Sequence, residues 1–301
     1  PEVHEAGGQP FGPHAHLILE PGAAAALLDR LDGVLIGPLE DADHRDRSSG
    51  HIRGLRVNPG VSTSEFDLAD PARPFSRLGE HDPAAIDAVA DRITGLMFHN
   101  NCENGDFALF DAMLAKVEAK FGHLFRWVDW VSLGGGIHFT GADYPLDDLA
   151  LRLKSFAEAF GVQVYLEPGE AAITGAATLE VTVLDTMHNG KNLAIVDSSI
   201  EAHMLDLLIY CESARMEQSG DQEWMVCGKS CLAGDIFGEF RFPTPLKAGD
   251  RISIQDAAGY TMVKKNWFNG VKMPSIAIRE LDGTERLVRD FTYEDFAAAL
   301  S

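Results

Sequence analysis

Positive charge, cysteine and long apolar runs are all scarce in this chain of 301 residues, and each shortage excludes a class of protein. Twenty-five lysines and arginines stand against 46 aspartates and glutamates, and the net charge of −21 argues against nucleic-acid binding. No apolar run approaches the ~18 residues that span a bilayer, so we expect no membrane partner. Four cysteines are too few for a disulfide framework, which favours a reducing, cytoplasmic setting.

What is present is the balance of a globular protein, with 46% hydrophobic and 24% charged residues. In the first half, six short apolar segments predict strands, and most of the legible connections between them have helical periodicity. The six segments are residues 14–19, 34–37, 53–58, 95–99, 130–133 and 162–167. Alternating strands and helices of this length predict a parallel sheet that is covered on both faces.

Polar and glycine residues follow several of these strands, and their distribution indicates which α/β fold is present. They are Asn58, His99, Gly134, Gly135, Gly136 and Glu167. Because they are spread over many strand ends instead of one crevice, they favour a TIM-type (β/α)8 barrel over a doubly wound sheet. Six of the eight βα units are visible in the sequence.

The pattern changes near residue 170. Strand-like segments and turn signals such as Asn189-Gly190 follow, and only residues 201–210 and 293–300 have a helical pattern. We therefore predict a barrel domain over residues 1–170 and a mainly β domain over residues 171–301.

Three features of the first half are candidates for chemistry. The glycine turn, which is Gly134, Gly135 and Gly136, lets the backbone approach an anion and aim N–H groups at a phosphate. Glu167 is a carboxylate at the end of an apolar strand, fixed by the turn that follows it. His99 also ends a strand. Each has a structural alternative: a tight turn, a surface carboxylate and a buried histidine with its hydrogen bonds satisfied.

The second half offers two thiols, an acid and a phenol. Cys227 and Cys231 frame a glycine-containing loop that ends at Asp235, and Tyr260 follows a turn of small residues. Taken alone, each is as compatible with a structural role as with a functional one. No metal site is expected, because these two cysteines have no second pair and His99 has no partner at ligand spacing.

Taken together, five segments resemble one enzyme family. They read HNNCEN at 99–104, SLGGGI at 132–137, YLEPGE at 165–170, CGKSCLAGD at 227–235 and DAAGYTMVKKNWFNG at 256–270. The chain resembles the alanine-racemase-type, fold type III pyridoxal phosphate decarboxylases, and within them the carboxynorspermidine/carboxyspermidine decarboxylase branch. LRVNPG at 55–60, FDLADPARPFSRLG at 66–79 and VDSSIEAHMLDLLIY at 196–210 are characteristic of that branch. The resemblance implies a (β/α)8 barrel followed by a β domain.

The resemblance also implies pyridoxal 5′-phosphate as the cofactor. This cofactor takes up the electrons left at Cα by decarboxylation, provided that its pyridine nitrogen stays protonated. Glu167 matches the family carboxylate that holds this proton, and His99 matches the imidazole stacked on the cofactor ring. The glycine turn matches the phosphate-binding turn, and Tyr260 matches a tyrosine near the phosphate and the substrate.

The remaining site residues implied by the resemblance concern the substrate and a partner subunit. Cys231 matches the cysteine that a partner brings to the site to handle protonation, which implies a homodimer. Asp235 lies in the same loop, where we expect it to shape the interface, and it is also counted with the substrate-binding residues. Glu170 occupies a position that is usually arginine in ornithine- and diaminopimelate-type relatives, and Asp206 is an acid in a branch-specific stretch. We predict that Glu170 and Asp206 bind the substrate's ammonium groups.

One family feature is missing from the sequence. The lysine that the family links to its cofactor ends the first barrel strand in an apolar-Lys-Cys-Phe-like motif, and none of the nine lysines here stands in such a motif. The six predicted strands match the family's third to eighth. Because an open barrel would expose two sheet edges, we expect the sequence to be an incomplete copy of a longer chain. The alternative is a naturally shortened homologue.

The expected function is decarboxylation of carboxynorspermidine or carboxyspermidine to norspermidine or spermidine in polyamine synthesis. One alternative is decarboxylation of another basic amino acid, of the ornithine, arginine or diaminopimelate type, although Glu170 in place of arginine weighs against it. A second alternative is a non-catalytic, decarboxylase-like regulator, which a true absence of the lysine would favour.

Overall fold

The computed structural model describes residues 16–19, 35–36, 54–64 and 67–301, and the chain divides into two compact units. The α/β unit spans Ala24–Ala172. The β unit comprises Ile173–Ser301 together with Pro1–Ala23. In the part of the chain that the structure describes, no helix is both long enough and apolar enough to cross a membrane.

The first strand, β1 (His16–Leu19), lies in the β unit. It pairs in parallel with Ser275–Arg279 and antiparallel with Ala177–Asn189. The prediction that residues 14–19 form a barrel strand is therefore wrong for His16–Leu19. A short apolar run has the same appearance in any sheet, and only partners more than 150 residues away decide which sheet it joins. The helix predicted after it lies outside the described residues.

Within the described residues, five parallel strands form the sheet of the α/β unit, in the order β2-β6-β5-β4-β3. They are β2 (Leu35–Ile36), β3 (Gly54–Val57), β4 (Gly95–Phe98), β5 (Trp130–Ser132) and β6 (Gln163–Leu166). Met97 pairs with Ser132, and Ser132 pairs with Tyr165. Because these neighbours are parallel and in register, β4, β5 and β6 end side by side at one edge of the sheet.

Three α-helices of the α/β unit lie among the described residues, and the sequence explains where they begin and end. They are α1 (Pro83–Asp87), α2 (Phe107–Phe125) and α3 (Leu146–Phe160). The side chain of Asp82 accepts a hydrogen bond from the N–H of Ala84 at the start of α1, and Asp106 caps α2 in the same way. Helix α3 ends at Gly161, whose φ of +67° suits glycine.

Aromatic rings fill the core of the α/β unit. Phe98, Phe125 and Phe156 are completely buried, and the ring centroid of Phe125 lies 5.9 Å from that of Phe98 and 5.3 Å from that of Phe156. These contacts connect β4, α2 and α3. Edge-to-face packing of this kind fixes how the helices lie on the sheet, and so it fixes the strand ends.

The β unit is built on an eight-stranded sheet in the described residues, in the order β10-β9-β8-β7-β1-β12-β13, with β11 paired to β7. Its other strands are β7 (Ala177–Asn189), β8 (Lys191–Val196), β9 (Gln222–Cys227), β10 (Ile236–Phe242), β11 (Arg251–Ile254), β12 (Ser275–Arg279) and β13 (Glu285–Arg289). Its helices are α4 (Ile200–His203), α5 (Leu205–Tyr210), α6 (Gly259–Lys264) and α7 (Tyr293–Ala299). A tight turn at Gly190 joins the antiparallel strands β7 and β8, where Asn189-Gly190 predicts a turn.

Candidate functional site

Three of the predicted site features come together in the α/β unit. His99 follows β4, the glycine turn begins two residues after β5, and Glu167 follows β6. Since β5 lies between β4 and β6, the glycine turn is flanked by the histidine and the carboxylate. The order of the strands thus brings together three features that are more than thirty residues apart in the sequence.

The glycine turn packs tightly against both neighbouring strand ends. A Cβ on Gly135 would overlap the backbone carbonyl oxygen of Glu167, and a Cβ on Gly136 would overlap that of Asn101. Gly134 and Gly136 also have positive φ, +69° and +80°. Only glycine satisfies both conditions. No side chain fits at the turn, because the chain's own atoms already occupy the place of each Cβ.

Two N–H groups of the turn are already used within the protein. The N–H of Gly134 donates to Oγ of Ser132 at 3.2 Å, and the N–H of Gly135 donates to Nδ1 of His99 at 3.1 Å. The prediction that the turn aims its N–H groups at a phosphate therefore does not extend to these two. An anion at the turn would have to be met by N–H groups from Gly136 onward.

His99 is neutral in this setting. Burial, and after it the positive charge of Arg56, hold the pKa of His99 below its ordinary value. Because Nδ1 accepts the hydrogen bond from Gly135, the ring proton is on Nε2. The structure thus provides a flat, uncharged ring beside the glycine turn.

Two residues that the sequence analysis gave no role belong to this site. Ser132, the last residue of β5, is fully buried and donates through Oγ to Oε1 of Glu167 at 2.5 Å. Arg56, in β3, interacts electrostatically with Glu167; its pKa is lowered by burial first, while Glu167 acts in the opposite direction. The motifs SLGGGI and LRVNPG contain these residues, but the sequence alone does not show which carboxylate they face.

In the β unit, the loop between β9 and β10 is organised around Asp235. This side chain is 3% exposed, its Oδ1 accepts from the N–H of Ile200 at 2.8 Å, and its Oδ2 accepts from the N–H of Ser230 at 3.0 Å. Cys231, in the same loop, is exposed, and its N–H donates to Oδ1 of Asn269 at 3.1 Å. A carboxylate with both oxygens committed to buried N–H groups holds a loop, so the structure speaks against the predicted direct substrate contact of Asp235.

Lys264 contacts both Tyr260 and Asp206. Nζ of Lys264 lies 2.6 Å from Oδ1 of Asp206 and 4.7 Å from the centroid of the Tyr260 ring. Tyr260 is in the first turn of α6 and is 52% exposed, and Asp206 is in the first turn of α5. Asp206 is therefore neutralised in part by the chain's own ammonium group, which the sequence analysis did not foresee.

Glu170 belongs to the α/β unit. It begins a short 3-10 turn, Glu170–Ala172, three residues after Glu167. The predicted residues consequently divide between the two units: His99, the glycine turn, Glu167 and Glu170 lie in one, and Asp206, Cys231, Asp235 and Tyr260 lie in the other.

Comparison with known proteins identifies the family. The family model of the pyridoxal-dependent decarboxylase C-terminal sheet domain matches residues 88–258. A carboxynorspermidine/carboxyspermidine decarboxylase from Herminiimonas arsenicoxydans is 61% identical over 250 residues, which are 83% of this chain and 68% of that protein. This chain belongs to the carboxynorspermidine/carboxyspermidine decarboxylase family.

Two further comparisons agree with this assignment. The solved structure of carboxynorspermidine decarboxylase from Campylobacter jejuni, complexed with norspermidine, has a TM-score of 0.72 at 35% identity, covering 82% of this chain and 68% of that one. A carboxyaminopropylagmatine decarboxylase from Synechocystis is 36% identical over 81% of this chain and 64% of that protein. The family resemblance and the predicted fold class, a barrel-type α/β domain followed by a mainly β domain, are confirmed.

The residues of the α/β unit fit the pyridoxal phosphate that defines this decarboxylase family. Glu167 supplies a carboxylate, His99 supplies a neutral ring, and the glycine turn brings side-chain-free backbone close to both of them. These three features suit, in turn, the pyridine nitrogen, the ring face and the phosphate. In the described residues, no group of three histidine, cysteine or acidic side chains is placed to hold a metal ion.

Proposed function

We propose that this protein decarboxylates carboxynorspermidine or carboxyspermidine, giving norspermidine or spermidine. The observation that carries the proposal is the meeting of Glu167, His99 and the glycine turn at one sheet edge, in a chain that is 61% identical to a decarboxylase with this name. When bound, the cofactor supplies an electron sink for the electrons left by the departing carbon dioxide.

The roles of the chain's own groups follow from their chemistry. Glu167 would hold the proton of the pyridine nitrogen, and Arg56 brings a positive charge close to this carboxylate. His99 contributes an uncharged surface, which places no second positive charge beside the ring. The turn from Gly136 onward receives the phosphate.

We assign the substrate's ammonium groups to the acids of the site. Glu170 follows the cofactor carboxylate on the same strand end, and it brings negative charge where ornithine-type relatives carry arginine. Asp206 is already ion-paired with Lys264 at 2.6 Å. Its carboxylate therefore has only part of its negative charge to offer to an ammonium group of the substrate. Asp235 acts indirectly, by holding the loop that carries Cys231.

We further propose that the protein is a homodimer and that Cys231 serves the site of its partner. In the β unit, exposed apolar side chains gather around the loop of Cys231 and helices α5 and α6, and α5 contacts α6. They are Leu208, Leu232, Tyr260, Val263 and Phe268. Large apolar side chains that are exposed in the single chain suit a face that a second copy would cover. The four cysteines occur as free thiols. Free thiols are typical of a reducing compartment, so we propose that the protein is cytoplasmic.

The second candidate function is decarboxylation of a different basic substrate. The 36% identity to a carboxyaminopropylagmatine decarboxylase is the observation that favours it, since a guanidino group would pair with the same acids.

A substrate panel tests the proposed function. The purified full-length protein, with pyridoxal phosphate added, is assayed for carbon dioxide release from carboxynorspermidine, carboxyspermidine, carboxyaminopropylagmatine, ornithine, arginine and diaminopimelate. We expect kcat/KM to be highest for the first two. A preference for carboxyaminopropylagmatine would support the second candidate, and release from none of the substrates would contradict both and favour a non-catalytic regulator.

Substitution of the cofactor carboxylate tests the site. Glu167→Ala removes the group that holds the pyridine proton, so we expect kcat to fall by about 100-fold or more. The control is Glu118→Ala on α2, where the part-buried carboxylate pairs with Arg152 of α3, and this variant should keep wild-type kcat. Near-normal turnover of Glu167→Ala would contradict the assignment.

A further inference from the structure

A closed ring of hydrogen bonds joins the cofactor carboxylate to the glycine turn. Oγ of Ser132 donates to Oε1 of Glu167 at 2.5 Å, and the N–H of Gly134 donates to the same Oγ at 3.2 Å. The ring closes through the backbone, because the N–H of Glu167 donates to the carbonyl of Gly134 at 2.8 Å.

The direction of these bonds is fixed by what each group can do. A backbone N–H is only a donor, so Ser132 must accept from Gly134 and has a single proton left to give. That proton is given to Oε1 of Glu167, which must therefore act as an acceptor. A hydrogen bond of this polarity fixes the orientation of the carboxylate.

The hydroxyl of Ser132 is buried, which makes its hydrogen bonds harder to replace. The residue is 0% exposed, so the buried N–H of Gly134 would lose its acceptor if the hydroxyl were removed. Its neighbours along the turn continue the network, since Gly135 donates to His99. Carboxylate, turn and imidazole are consequently linked through one hydroxyl group and four hydrogen bonds.

We propose that Ser132 is a positioning residue for the cofactor: it presents the Glu167 carboxylate to the pyridine nitrogen and couples that carboxylate to the phosphate turn. The proposal rests on the proposed function, in that it takes pyridoxal phosphate to be held by these residues. Ser132 does not itself touch the substrate; it acts through Glu167 and Gly134.

The test compares Ser132→Ala with a matched control. Ser275→Ala also removes a buried hydroxyl that donates to a carboxylate, since Oγ of Ser275 donates to Asp290 at 2.7 Å, but it does so on β12 of the β unit. Ser132→Cys serves as a second variant of nearly unchanged size, whose thiol is only a weak donor. All are made in the full-length protein with pyridoxal phosphate.

Three measurements are made on each variant: the dissociation constant of pyridoxal phosphate, the visible circular dichroism of the bound cofactor, and kcat and KM separately. For Ser132→Ala we expect kcat to fall by about 10- to 100-fold, with KM changed less than threefold and the cofactor dissociation constant raised about tenfold. The dichroism band should weaken, because the ring is held less rigidly. Ser132→Cys should shift in the same direction, and Ser275→Ala should leave all three measurements at their wild-type values.

The outcomes separate this proposal from the proposed function. If both Ser132 variants keep the wild-type dichroism, cofactor affinity and kcat, and lose only thermal stability, the hydroxyl is merely structural and the proposal is overturned. If the wild-type protein binds pyridoxal phosphate but releases no carbon dioxide from any substrate, the proposed function fails, while the dichroism and affinity of the variants still decide the role of Ser132.

Discussion

Replacement of Asp235 by asparagine tests whether this acid holds a loop or binds substrate. The carboxylate is 3% exposed, and its two oxygens accept hydrogen bonds from Ile200 at 2.8 Å and Ser230 at 3.0 Å. Asparagine keeps one acceptor oxygen and turns the other position into an NH₂ group. One of the two backbone N–H groups would then face a donor instead of an acceptor.

The expected cost follows from these two bonds. Loss of a hydrogen bond to a charged group costs about 1.5–3 kcal/mol, and the buried N–H left without an acceptor adds about 1–3 kcal/mol. Part of this is offset because a buried charge is removed as well. We therefore expect Asp235→Asn to lower the free energy of unfolding by about 2–4 kcal/mol.

Urea unfolding of the two proteins, followed by circular dichroism, measures this difference, and steady-state kinetics give KM. The control is Asp185→Asn, an exposed carboxylate that accepts from the neighbouring N–H of Thr186, which should change stability by less than about 0.5 kcal/mol. An Asp235→Asn protein with wild-type unfolding free energy but a greatly increased KM would refute the reasoning and return Asp235 to direct substrate binding.

Two further predictions concern pH and packing. Burial first, then the charges of Lys229 and Lys265, lower the pKa of His203 to about 3. Below about pH 6.5 the unfolded chain therefore binds a proton that the folded chain does not bind. The free energy of unfolding should fall as the pH is lowered from 6.5 towards 3, by up to about 1.4 kcal/mol per pH unit. His203→Gln should flatten this dependence in urea titrations at pH 7, 6 and 5, and an unchanged slope would contradict the assignment. Gly95→Ala places a Cβ inside the ring of Trp130 and should cost about 1–3 kcal/mol in thermal unfolding. Gly105→Ala, which meets open space, should be neutral, and equal effects of the two substitutions would refute this packing argument.

Local patterns predicted much of the secondary structure because they report local physics. The side chain of Asp106 accepts from the first helical N–H groups and so stabilises the start of α2. Asn189-Gly190 predicted a turn, because glycine tolerates positive φ there. Helix α6 was missed, because it begins in a run of small residues that reads as a turn. The placement of β1 was missed for a different reason, namely that its partners are remote in sequence.

The candidate site shows the same division. The residue types at strand ends pointed to His99, the glycine turn and Glu167, because a parallel sheet brings its carboxyl ends to one edge. The sequence did not show that both oxygens of Asp235 accept from backbone N–H groups, or that Asp206 is ion-paired with Lys264. Both facts depend on neighbours in space.

The sequence by itself determined the family, the alternation of strands and helices, and which residues stand at the strand ends, since these depend on residue type and spacing along the chain. Tertiary structure decided which sheet β1 joins, which N–H groups of the glycine turn are already used, and that Ser132 faces Glu167. The physical reason is that the decisive hydrogen bonds join residues 35 or 36 positions apart. Periodicity extends over one or two turns of helix or a few residues of strand, whereas such bonds depend on the order in which the strands lie side by side.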